Sequence, residues 1–188
     1  HLVRALELDD ELLRAPTNLW RMQVMRGEVT AARQTILRLG RLQGKIPWVQ
    51  AVQQRFDLWC DPDRARSTPW VRPSTAISEV AHAAHLECIR AFQRRAPLPA
   101  EALRTYFAEL AAAGVASRRQ LVEAQVLLEV SAVNGGSWQQ GRPYLTQVVD
   151  AGLRDVLWLT HAPSLERWRD EPGFAELAER VRSPVRVS

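Results

Sequence analysis

Apolar residues recur along this chain at the spacing of amphipathic helices, and Gly or Pro punctuates them. The clearest stretch is Val122 to Leu153. Val122, Val126, Val130 and Val133, with Leu127 and Leu128, give its first half a broad apolar face. Asn134, Gly135 and Gly136 then stop that helix, because glycine accepts the left-handed backbone that a helix end needs. Tyr144, Leu145, Val148 and Val149 form a second stripe. Neither stripe can be buried within its own helix, so the pattern predicts an antiparallel hairpin that needs neighbours. Pro143 interrupts the second helix, which predicts a late start near Gln140 or a kink.

The other segments follow the same logic. Residues 1–9 read as the end of a helix. Asp9, Asp10 and Glu11 suit the start of the next, which runs to Arg26, with Thr17 as an alternative N-cap after Pro16. Leu19, Trp20, Val24 and Met25 supply its apolar side, Gly27 breaks it, and Glu28 to Arg41 returns with Ala32, Ile36 and Leu39 inward. Pro47 and Trp48 open a helix to about Trp59. A short or degenerate helix and a loop follow, broken by Pro62, Pro69 and Pro73. Ser74 is the expected cap of a long helix from Thr75 to Arg94, with Ile77, Val80, Ala81, Ala84, Cys88 and Phe92 as its core stripe. Pro99 to Ala113 forms the next helix, Gly114 ends it, and Ser117 caps the helix of the Val122 stretch.

An internal repeat emerges from this punctuation. After Gly27, small or apolar residues stand at Ala32, Ile36 and Leu39; after Gly136 the same offsets fall on Gly141, Leu145 and Val148. Ala5 and Leu39 also lie one period of about 34 residues apart. This spacing resembles the tetratricopeptide repeat, a helix–turn–helix unit with a turn glycine followed by small and bulky apolar residues on the second helix. Leu39 and Val148 depart from it, standing where that family has a small residue, and the aromatic late in the first helix is absent in both units. The stretch from Gly152 to Leu177 resembles the closing element of repeat regions in bacterial adenylate cyclase-like proteins, serine/threonine kinases and winged-helix regulators. Gly152, Asp155, Trp158, Leu159, Pro163, Leu165, Trp168, Arg169, Pro172, Phe174 and Leu177 carry that likeness.

The expected fold is therefore all-α: antiparallel helical hairpins stacked as a TPR-like α-solenoid over residues 1–188, one domain, with a capping segment at 153–182. Trp158, Leu165, Trp168 and Phe174 would cover the apolar end that a stacked array leaves open. The chain lacks an initiator Met and is expected to be a fragment of something longer.

Composition narrows the function. The chain is 46% hydrophobic and 24% charged, which is globular rather than disordered. No apolar run approaches the ~20 residues of a membrane span, and no signal peptide is evident, so a cytoplasmic protein is expected. The net charge is +4, and Lys45 is the single lysine among the basic residues. The arginines are spread among Asp and Glu rather than gathered with aromatics on one face, so direct nucleic-acid contact is not expected. Cys60 and Cys88, the two cysteines, read as free thiols.

No nucleophile elbow, Walker loop or dinucleotide fingerprint occurs. Glu79 and His82 make an E-x-x-H pair, and His85 and Cys88 continue it at three-residue steps. Steps of three drift around a helix, and no second pair follows, so neither a metal nor another cofactor is expected. The implied work is non-catalytic. The resemblance implies a concave groove, lined by first helices, that binds a protein or peptide partner or other domains of the parent chain. The matching positions are Arg14, Thr17, Arg21, Val24 and Met25 in one unit, and Glu123, Val126, Val130, Val133 and Asn134 in the other. The alternative is a ligand-sensing effector domain of a transcriptional regulator, with a small molecule in the groove or a Trp-lined pocket.

Overall fold

A computed structural model describes residues 14–43, 47–70 and 78–183, and all regular structure among them is helical. The chain divides into two compact units, His1–Val71 and Arg72–Ser188.

In the first unit, α1 (Arg14–Met25) and α2 (Val29–Gln43) form a hairpin, and α3 (Pro47–Cys60) packs on both. The turn is the predicted one: Gly27 takes φ 79, and the Glu28 amide donates to the Gln23 carbonyl at 2.8 Å. The expected start at Thr17 is not observed, because Arg14, Ala15 and Pro16 are already helical. The readings for residues 1–9 and for Asp9, Asp10 and Glu11 lie outside the described residues. The repeat positions Ala32, Ile36 and Leu39 are buried, as are Trp20 and Val24 opposite them. Leu19, by contrast, turns outward at 45% exposure. Trp20 meets Phe56 and Trp59 edge-on, with ring centroids 5.9 and 5.1 Å away. The short α4 (Pro62–Ser67) opens on an Asp61 cap that accepts from the Arg64 amide at 3.2 Å.

The second unit holds two hairpins and a closing segment. Helices α5 (Glu79–Gln93) and α6 (Ala100–Ala112) pair, as do α7 (Arg118–Val133) and α8 (Trp138–Asp150). Across the hairpins, α5 lies against α7 and α6 against α8. Ser78 caps α5 by accepting from the Ala81 amide; the expected cap Ser74 lies outside the described residues. Ser117 and Ser137 each make a reciprocal capping box, with Gln120 and Gln140 respectively. The Ser137 box starts α8 at Trp138, earlier than the Gln140 expected, and Pro143 is taken inside the helix. The cost is one missing N–H opposite the Gln139 carbonyl. At the α7–α8 turn it is Gly135, not Gly136, that takes the positive φ, at 92°. Gly136 is needed for a different reason: a Cβ there would stand 2.8 Å from the Ser131 carbonyl oxygen.

The closing segment comprises α9 (Val156–His161), a 3-10 turn (Pro163–Leu165), α10 (Glu166–Arg169) and α11 (Phe174–Arg182). The 3-10 turn packs on α7, and α11 on α8 and α9. Trp158, Leu165, Trp168 and Phe174 are all buried. Gly141 has no side chain because Trp168 sits there: an added Cβ would lie 2.5 Å from its Cη2. The Trp168 indole donates to the Gly136 carbonyl at 3.0 Å, and the Trp138 indole to the Pro172 carbonyl at 2.7 Å.

Candidate functional site

The residues implied as groove positions fall into the two units. On α1, Arg14 and Thr17 are helical, and their side chains lie outside the described residues. The Arg21 guanidinium stacks over the Trp59 ring at 5.9 Å, Val24 is buried and Met25 is half-buried. On α7, Glu123, Val126, Val133 and Asn134 are half-buried, whereas Val130 is fully enclosed. The Asn134 amide donates to the Ala96 carbonyl at 2.8 Å, tying the end of α7 to the loop after α5. Val24 and Val130 thus serve the core.

Helix α5 carries the E-x-x-H series. Glu79 is exposed, and His82, His85 and Cys88 are buried. Among the described residues, no three His, Cys, Asp or Glu side chains come together as ligands for a metal ion. The His85 ring lies 5.9 Å from Tyr106 of α6, tilted by 56°. Tyr106 meets Phe107 edge-on at 5.2 Å, and Phe107 stacks on Tyr144 of α8 at 4.8 Å. The Nδ1 atoms of both histidines and the Tyr106 hydroxyl are buried without a hydrogen-bond partner.

Burial dominates the electrostatics here. It lowers the His85 pKa to about 4, and the neighbouring His82 adds to the effect. Burial pushes the Cys88 thiol up to about 12, helped by Glu87, and raises the Tyr106 phenol, helped by Glu123. In the first unit burial likewise raises Cys60, to about 11. Near neutral pH both thiols are protonated, so neither is present as the nucleophilic thiolate, and His85 is uncharged.

A second buried polar group joins α7 to the closing segment. Glu129 is completely enclosed, and the Trp158 indole donates to its Oε1 at 2.6 Å. Beside it, Asp155 accepts from the Trp158 amide at 3.0 Å and from the Gln125 side chain at 3.4 Å. This arrangement is structural: it holds α9 against α7.

The surface feature that sequence reasoning missed is an open groove of about 430 Å³ between α5 and α6. Glu79, Val80, Ala83, Ala84 and Glu87 line one side, and Glu101, Ala102 and Thr105 the other. Val80 was expected in the core stripe, yet it is 55% exposed. The expected Ala81, Ala84, Cys88 and Phe92 are buried, joined by His82, His85 and Ile89, which were not in the expected stripe; Ile77 lies outside the described residues. The signal in the sequence was the polar pair His82 and His85, which reads as an outer face only if histidine is assumed to be exposed. Small residues keep the groove shallow, and two rim charges meet: Arg104 pairs with Glu101 at 2.7 Å.

Comparison with protein-family models, with curated proteins and with solved structures returned no match. Among the described residues, no helix is long and apolar enough to cross a membrane.

Proposed function

We propose that the chain is a non-catalytic interaction module of the TPR-like kind, working in the cytoplasm as part of a bacterial signalling or regulatory protein. It would bind a helical or extended protein segment, either from a partner or from another domain of its parent chain. The observation that carries this reading is the open α5–α6 groove, with its floor of Ala83, Ala84 and Ala102 and its exposed Val80. Small side chains let another backbone approach closely, and the exposed Val80 offers apolar area in a lining that also holds Glu79, Glu87 and Glu101. The pairing of first helix with first helix and second with second supports the repeat reading. So does the burial of Ala32, Ile36 and Leu39 at the same offsets as Gly141, Leu145 and Val148. The residues from Gly152 to Leu177 support the signalling context. An open groove suits a chain segment better than the small molecule of the effector-domain alternative, which calls for enclosure.

The test is a displayed library of helical peptides selected on the immobilised protein, with Ala83→Glu as the comparison. Peptides that bind the parent protein and lose at least roughly tenfold on Ala83→Glu, a loss of about 1.4 kcal/mol, support the groove as the site. Selected peptides that bind both proteins equally overturn it.

A further inference from the structure

Helix α5 buries two imidazoles on one face, His82 at 8% exposure and His85 at 4%, and neither Nδ1 has a partner. Among the described residues, α6 and α7 make the main packing contacts with α5. From α6 come the uncharged Tyr106 ring, 5.9 Å from His85, and Glu109, which accepts from the Ser78 hydroxyl at the start of α5. From α7 comes Glu123, which acts electrostatically on Tyr106. On α5 itself the next buried titratable group is the protonated Cys88 thiol. Along this face an uncharged ring fits and a charged one lacks both solvent and a partner at Nδ1.

We propose that His85 forms a proton-operated latch: when this buried ring takes up a proton in mild acid, α5 loosens from α6 and α7 while the closing segment stays folded. The geometry supports a local response. The buried imidazoles lie on α5, whereas the closing segment, whose unpaired buried atoms are the Ser164 hydroxyl and Arg169 Nε, has no buried histidine. The closing segment is held separately, by the indole bonds of Trp138, Trp158 and Trp168. The sign follows from the titration. An unfolded or released His85 binds a proton below about pH 6.5, whereas the buried one does so only near 4. Stability from the neutral ring is therefore complete above about 6.5 and is lost as the pH falls through the window down to about 4. At about pH 5 the opening equilibrium shifts roughly 30-fold toward the open form.

Hydrogen exchange of the whole chain at about pH 7.5 and about pH 5, corrected for the intrinsic exchange rate, reads the opening directly. The expected result is a rise of roughly 30-fold in residues 79–112, with residues 156–182 unchanged and the rise abolished in the His82→Gln/His85→Gln double variant. An equal rise across both regions, or no rise, overturns the proposal. Should the double variant fail to fold, the imidazole resonances of the unsubstituted protein decide: a His85 ring that titrates near 6.5 sinks the latch, and one that stays neutral well below it upholds the latch.

Discussion

The two hairpins of the second unit share one plan and differ in whether their buried polar rings are hydrogen-bonded. In α7–α8 and the segment that closes it, the indoles of Trp138, Trp158 and Trp168 are each hydrogen-bonded, that of Trp158 to the enclosed Glu129, although Gln147 Oε1, Ser164 Oγ and Arg169 Nε are buried there without a partner. In α5–α6, His82, His85 and Tyr106 bury polar atoms with no partner. The helix ends differ in the same direction. Helix α7 ends through Gly135 in the left-handed region, whereas α5 ends through Arg95 at φ 55, a conformation that costs a side-chain-bearing residue about 1–2 kcal/mol. The lesson is that equal apolar burial does not mean equal firmness. A buried donor or acceptor adds stability when it is paired and withdraws it when it is not.

Substitutions at three positions separate the hairpins. The largest effect is expected from Trp168→Ala. This ring is 1% exposed, fills the space that Gly141 leaves, and bonds the turn at Gly136. Its removal should cost about 3–5 kcal/mol in urea unfolding and raise exchange first in residues 138–182. If residues 79–112 loosen first instead, the closing segment is not what holds its own hairpin. Next comes Glu129→Ala, expected to cost about 2–3 kcal/mol because it strands the Trp158 indole N–H in a fully buried place. Glu129→Gln keeps an acceptor there and should cost less than about 1 kcal/mol; equal losses for the two would mean that the charge, not the hydrogen bond, matters. The smallest effect, and one of opposite sign, is expected from Tyr106→Phe. Deleting a hydroxyl that has no partner should leave thermal stability unchanged or raise it by up to about 1 kcal/mol. A loss of more than that would show the hydroxyl to be paired in solution and would erase the contrast between the hairpins.

Much of the fold was legible in advance because it is written locally. Helix caps are a matter of a few neighbouring residues, and Ser117, Gly27 and Gly114 act where the sequence places them. The start of α8 was misjudged because the Ser137–Gln140 box outweighed the proline six residues into the turn-and-helix segment. The candidate site was less legible. The groove positions implied by resemblance include Val24 and Val130, which the structure buries, whereas the exposed valine that lines a groove is Val80. Periodicity marks Val80 and His82 as belonging to different faces of α5 but does not say which face looks inward, and hydropathy prefers valine for the interior.

What the amino-acid sequence determined by itself is the succession of helices, their ends and the tryptophan-rich closing segment. These depend on backbone hydrogen bonds and apolar spacing within a turn or two. Tertiary structure alone decided that α5 turns its histidines inward, that Glu129 finds its partner on Trp158 29 residues away, and that the chain divides into two units. The physical reason is that burial and pairing are relations between distant segments. A side chain acquires its environment, its partner and its pKa only when another helix arrives beside it.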